Sequence, residues 1–205
     1  MKKIFDLINS YRFVLIKILF FEIFHILLGY KGNSFFIRNN TKSTDTIPCS
    51  YFFLSIIYKM IKNENIRTFI DLGCGNGRVL YYFNKKLKIN YIGVELYKNS
   101  YDSCVKIFKR SHNVKILNKN FFDLNFDKNN FDCYFLNDPL KRVEDHNNLI
   151  NSIVSSHRLA KKNLIFVLAN FTKIKYEAFK SLDLKFDYHV SDRNNIRIYK
   201  YKFVQ

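Results

Sequence analysis

Phe69-Ile70-Asp71-Leu72-Gly73-Cys74-Gly75-Asn76-Gly77-Arg78 constrains this chain more than any other stretch. A short apolar run that reads as a buried strand leads into three glycines at alternate positions, and a helical pattern opens at Arg78. Glycine tolerates positive φ and lets the backbone approach a ligand closely. Asp71 stands where the strand ends, so the site can receive a cationic group. A methionine-derived sulfonium cofactor fits these terms, because its amino-acid end carries an ammonium and it has no phosphate. Spacing argues against two phosphate binders. A dinucleotide fingerprint wants its third glycine three residues after the second, whereas Gly75 and Gly77 are two apart. A Walker loop ends in Gly-Lys-Ser/Thr, and the stretch carries none. The competing reading is a glycine-rich strand-to-helix turn with no ligand.

The pattern around that turn sets the architecture. Strand-like runs at 67–72, 90–96, 114–117, 131–137 and 163–169 alternate with helical patterns at 78–86, 100–110, 145–159 and 172–181. Such alternation implies a parallel, doubly wound, Rossmann-like sheet of the α/β class. Two final runs, 185–190 and 195–203, alternate polar with apolar residues around Ser191-Asp192-Arg193-Asn194, which reads as a hairpin turn. The expected fold is a seven-stranded sheet closed at one edge by a C-terminal antiparallel hairpin. The chain divides near residue 62, with a helical, apolar N-terminal extension over 1–62 and the α/β domain over 63–205.

Residues 13–29 of that extension are apolar enough to suggest a membrane span, but Lys17, Glu22 and His25 interrupt it. A charged residue at the centre of a span costs roughly 2.5–3.5 kcal/mol. No small-residue cleavage site follows, which disfavours a signal peptide. A helix packed on the domain or on a partner ranks first, association of residues 11–30 with a membrane surface second, and a true span third. The balance of 34 Lys+Arg against 17 Asp+Glu gives a net charge of +17. Such an excess permits nucleic acid, an anionic membrane or an acidic partner. It equally reflects codon bias, since Lys, Asn, Ile, Phe and Tyr are all abundant. Four dispersed cysteines and five dispersed histidines lack metal-ligand spacing, so no metal is expected, and the setting is read as a reducing cytoplasm, with a place at the periphery of a membrane left open.

Glu95 ends the second strand, 18 residues past Gly77. Ligands of open α/β sheets sit outside the carboxyl ends of the strands, and a carboxylate there can accept both hydroxyls of a ribose. After the third strand, Asn120 or Asp123 can hydrogen-bond an adenine amino group while Phe121 packs on the ring. After the fourth come Asn137-Asp138-Pro139-Leu140, where a donated methyl would lie. For an amine acceptor, the Asn137 amide oxygen and nearby carbonyls would take its N–H bonds. For a hydroxyl acceptor, Asp138 would serve as general base. Glu144-Asp145-His146 reads as a solvated helix start.

With these elements in order, residues 48–203 resemble the class I, seven-β-strand S-adenosylmethionine-dependent methyltransferases. The likeness is closer to small uncharacterised bacterial members and to seven-strand protein-lysine methyltransferases. Those bacterial members read Pro-Thr-Pro-Tyr before the core, then Asp-x-Gly-x-Gly-x-Gly-Arg, Gly-x-Glu and Asn-Pro-Phe. The counterparts here are Pro48-Cys49-Ser50-Tyr51, Asp71 to Arg78, Gly93-Val94-Glu95 and Asn137-Asp138-Pro139-Leu140. The resemblance implies S-adenosyl-L-methionine held by Tyr51, Asp71, Gly73, Gly75, Gly77, Glu95, Asn120 and Phe121, with Asn137 and Asp138 at the acceptor. This chain departs from the pattern at Ser50, at the inserted Asp138 and at Leu140, where the family carries an aromatic. The favoured acceptor is an amine, on a protein lysine or elsewhere. The alternatives are a nucleic-acid base, a sugar or lipid-linked group, or a non-catalytic basic module binding nucleic acid or anionic membrane.

Overall fold

The computed structural model describes residues 2–33, 48–128, 130–191 and 194–202, with side chains from residue 13 onward. The described residues of the extension form α1 (Lys2–Leu27) and α2 (Tyr51–Ile61). Five strands and three helices follow: β1 (Thr68–Leu72), α3 (Arg78–Asn84), β2 (Asn90–Glu95), α4 (Lys98–Phe108), β3 (Val114–Asn118), β4 (Cys133–Leu136), α5 (Val143–Leu159) and β5 (Leu164–Ala169). The chain closes with β6 (Asp183–Ser191) and β7 (Asn194–Tyr201). The sheet has seven strands in the order β3-β2-β1-β4-β5-β7-β6. The first five are parallel, and β7 runs antiparallel to both neighbours. The expected α/β sheet and terminal hairpin are both present; residues 192 and 193 of the expected turn lie outside the described residues.

Strands buried on both faces read as unbroken apolar runs, which is why β4 (CYFL) and β5 (LIFVLA) are buried at every position. The two-residue period sends alternate side chains to opposite layers. Phe69, Phe135, Ile165 and Val167 pack with α2 and α3 on one face. Ile70, Tyr134, Leu136, Phe166 and Leu168 pack with α5 on the other. Helix α2 is capped by Ser50, whose hydroxyl accepts the Phe53 N–H at 3.2 Å, and its Phe53, Leu54, Ile57 and Ile61 are buried in the first layer. Edge strand β6 is half exposed and alternates accordingly.

One expected helix differs. Residues 172–181 form a 3-10 segment, Lys173–Phe179. Tyr176 and Phe179, three apart, both turn inward, and a three-residue turn places such a pair on one face.

Candidate active site

Strand order reverses between β1 and β4, so the crevice outside their carboxyl ends is where an open α/β sheet takes its ligand. The glycine loop fills one side of it. Gly73, Gly75 and Gly77 all have positive φ (89°, 54° and 84°). At Gly77 a Cβ would meet Cys104 Sγ at 2.6 Å and Phe108 Cε2 at 2.9 Å, so α4 leaves no room for a side chain. The Gly73 and Cys74 amides donate to Val94 O (2.9 and 3.0 Å), fastening the loop to β2.

Asp71 ends β1 almost fully buried, and its Oδ2 has no hydrogen-bond partner among the described residues. Burial, and then the charge of Glu95, holds its carboxyl well above the usual carboxylate range. Glu95, also buried, accepts the Gly75 N–H on Oε2 and the Tyr97 N–H on Oε1, both at 2.8 Å. An acid left without a partner behind a glycine loop is what a cationic ligand group would complete. The residues present therefore fit the ammonium end of the sulfonium cofactor.

Beyond β3, Asn120 caps a 3-10 turn, Phe121–Asp123, by accepting the Phe122 N–H on Oδ1 at 3.1 Å. Phe121 is half buried against the α5-side core, and the next ring, Phe122, is exposed. Tyr51 lies on the far side of the loop, fully buried. Its hydroxyl donates to Asn33 Oδ1 at 2.7 Å, and its ring is sandwiched by the Arg78 guanidinium and the His25 imidazole, each 4.5 Å from its centre. Glu22 of α1 joins this cluster, accepting the Tyr51 N–H and Arg78 Nη1, each at 2.8 Å. Gly32 lies so close that a Cβ would meet Arg78 N at 2.4 Å. The extension is thus latched to the first residue of α3, directly after the glycine loop.

The β4 and β5 ends form a second polar group. Asn137 Oδ1 accepts from Asn170 Nδ2 at 2.6 Å. Asp138 and Asn170 both take left-handed backbone (φ 43° and 61°), a conformation that Asn and Asp tolerate better than other side chains. Lys175, nearly buried, donates to Asp138 Oδ1 and, at 2.6 Å, to Leu140 O. His146 is fully buried, against the expected solvated helix start: α5 turns it inward on the stripe of Leu149, Ile150 and Ile153, between Phe171 and Phe179. Burial, reinforced by Lys175, pulls it down to about 4. Sequence reasoning missed Glu22, Asn170, Lys175 and the burial of His146. Asn170 carried a usable signal, as the residue that follows β5 at the ligand edge. His146 did too, through the helical period it shares with Leu149, Ile150 and Ile153. The Lys175 contact joins segments 37 residues apart and left none.

Among the described residues, no three His, Cys, Asp or Glu side chains gather as a metal site, and no helix is long and apolar enough to cross a membrane. No curated protein matches the chain. Among solved structures it is similar to an RNA methyltransferase from Salinibacter ruber in complex with S-adenosyl-L-homocysteine (TM-score 0.57, 12% identity, 77% of this chain and 94% of that one). A SAM-dependent methyltransferase from Aquifex aeolicus gives a TM-score of 0.55 at 13% identity, covering 73% of this chain and 88% of that one. The N-terminal domain of human METTL16 in complex with SAH gives 0.56 at 13%, covering 78% and 73%. At such identities the likeness is one of fold. The family model described as "Methyltransferase domain" matches residues 63–199, which span the glycine loop, Asp71, Glu95, the polar group at the β4 and β5 ends and nearly all of the sheet, and the chain belongs to that family.

Proposed function

We propose that this protein is an S-adenosylmethionine-dependent methyltransferase acting on an amine, on a protein lysine or another amino group. The observation that carries the reading is the buried Asp71 carboxyl behind the glycine loop, whose Oδ2 has no partner among the described residues. When bound, the cofactor supplies a methyl group made electrophilic by its sulfonium. Asp71 and the loop of Gly73, Gly75 and Gly77 hold its methionine end. The Glu95 oxygens each accept one N–H and can each accept a ribose hydroxyl as well. Asn120 and Phe121 flank the adenine.

Methyl transfer is an in-line displacement, so alignment of the acceptor is the main contribution of the protein. The Asn137 amide, oriented by Asn170, stands at the carboxyl end of β4, where its oxygen would receive an acceptor N–H. Asp138 is held in an ion pair with Lys175. That contact already engages the carboxylate that a hydroxyl acceptor would need as its base, which weighs against such an acceptor. An amine needs only to lose its proton to water before attack.

Calorimetric titration with S-adenosylmethionine and S-adenosylhomocysteine tests the cofactor. Micromolar-range binding, abolished by Gly75→Arg and weakened by Glu95→Ala, is expected. Absence of binding by folded wild type overturns the reading. Methyl label from the cofactor should then enter the protein fraction of a cell extract and not its RNA, and the reverse distribution would overturn the amine assignment.

A further inference from the structure

From Phe13 onward, helix α1 meets the domain along one narrow stripe. Val14, Ile18, Phe21, Glu22 and His25 face inward, at the spacing of one side of a helix. Lys17 apart, the rest of that surface is apolar as well. Ten large apolar side chains between Phe13 and Leu28 are 47–80% exposed, among them Phe13, Ile16, Phe20, Ile23, Phe24 and Leu27. Soluble monomers rarely expose contiguous apolar surface beyond a few hundred Å², and a larger patch marks an interaction site. The apolar face here runs for about 22 Å along the helix, at 1.5 Å per residue.

The charges decide what covers it. Within 13–33 the only acid is Glu22, and it is turned inward onto Arg78 and the Tyr51 amide. Lys17 and Lys31 are exposed. The face therefore carries positive charge and no negative charge, on a chain of net +17. A second copy would bring the same +17 against it, and nucleic acid would leave the apolar side chains in water. An anionic bilayer meets both demands: its acyl boundary takes the apolar face, and its headgroups take the lysines, whose long stems let the ammonium reach outward. We infer that the outer face of α1 is a membrane-surface docking site, lying in the plane of an anionic lipid interface. The helix cannot stand across the bilayer without surrendering Glu22 from Arg78 and His25 from Tyr51. Two of the three polar residues that interrupt the apolar run, Glu22 and His25, are thus its attachment to the domain. Because the same attachment grips Arg78, docking sets the glycine-loop end of the sheet beside the lipid surface.

This inference is independent of the reaction assigned to the site. Flotation of the full chain with vesicles of phosphatidylcholine, with and without about one third phosphatidylserine, tests it. Binding to the anionic vesicles is expected, at least about tenfold weaker to the neutral ones and weakened by added salt. Phe20→Glu/Phe24→Glu should lose at least about tenfold in binding, with the thermal midpoint and cofactor titration unchanged. Leu27→Glu, at the most exposed position of the face, serves as a second variant should the double one fold poorly. Wild type that stays with the unbound fraction overturns the inference, as does full binding by a folded variant. A dimer in sedimentation that these substitutions dissociate overturns it too, naming a second copy as the occupant.

Discussion

Asp71 is the residue at which stability and function oppose one another. Its carboxyl is buried, lacks a partner on Oδ2 and shares its surroundings with Glu95. Its folded value lies above its unfolded value of about 3.9, so the folded state binds the proton more tightly. That preference favours folding at low pH. It is lost as pH rises through the window from the unfolded to the folded value, and the ligand-free protein carries the whole penalty above that window. Asp71→Asn keeps the shape and removes the charge. We expect it to stabilise the ligand-free protein by roughly 1–3 kcal/mol, at roughly 2–4 °C of thermal midpoint per kcal/mol in a chain of this size. The same substitution should abolish the rise in midpoint on adding S-adenosylhomocysteine. Thermal scans with and without that ligand check both halves, and an unchanged ligand-induced shift would remove Asp71 from the cofactor site. Binding should also strengthen with pH up to the folded value, since a cation selects the ionised acid.

At the scale of elements, the parts visible in the sequence are those whose physics is local. β4 and β5 are buried on both faces, so they show as apolar runs; β6 is the edge strand, so it shows as alternation. The glycine loop shows because left-handed backbone and close packing of α4 admit little else. Partnerships made across the fold do not show. Tyr51, given to the cofactor by the resemblance, also packs with Asn33, His25, Arg78 and Glu22, contacts that residue spacing does not reveal. Whether Glu22 interrupts a span or anchors a helix depends on Arg78, 56 residues away. That anchor yields a prediction of its own. Glu22→Ala leaves the Tyr51 N–H without its acceptor and the nearly buried Arg78 guanidinium without its carboxylate, the Cys49 carbonyl remaining to Nη1. The cost should be roughly 1–3 kcal/mol, read as a lower thermal midpoint. Limited proteolysis should cut the variant within α1 faster than wild type, because the latch and the inner stripe are what hold that helix down. Equal cleavage would mean that apolar packing alone suffices.

The whole molecule carries 34 basic against 17 acidic residues, and several of the acids are held in ion pairs. Lys98–Asp102, Arg142–Asp145, Arg197–Asp187 and Lys200–Glu64 each use one. What remains is a large excess of cations spread along the chain, with no run of five or more Lys and Arg. Exposed pairs contribute little, about 0–1 kcal/mol each, whereas an unbalanced net charge opposes compaction everywhere at once. Salt acts on these two effects with opposite sign. Raising ionic strength from about 0.01 to about 0.15 M shortens the screening length from about 30 to about 8 Å. That weakens the pairs slightly and relieves most of the long-range repulsion. The thermal midpoint should therefore climb over this range of sodium chloride at fixed pH and reach a plateau once screening is complete. A midpoint that fell with salt would show that the local pairs outweigh the net charge. The excess of lysine would then serve stability inside the fold, leaving the exposed cations beside α1 as the portion directed at a partner.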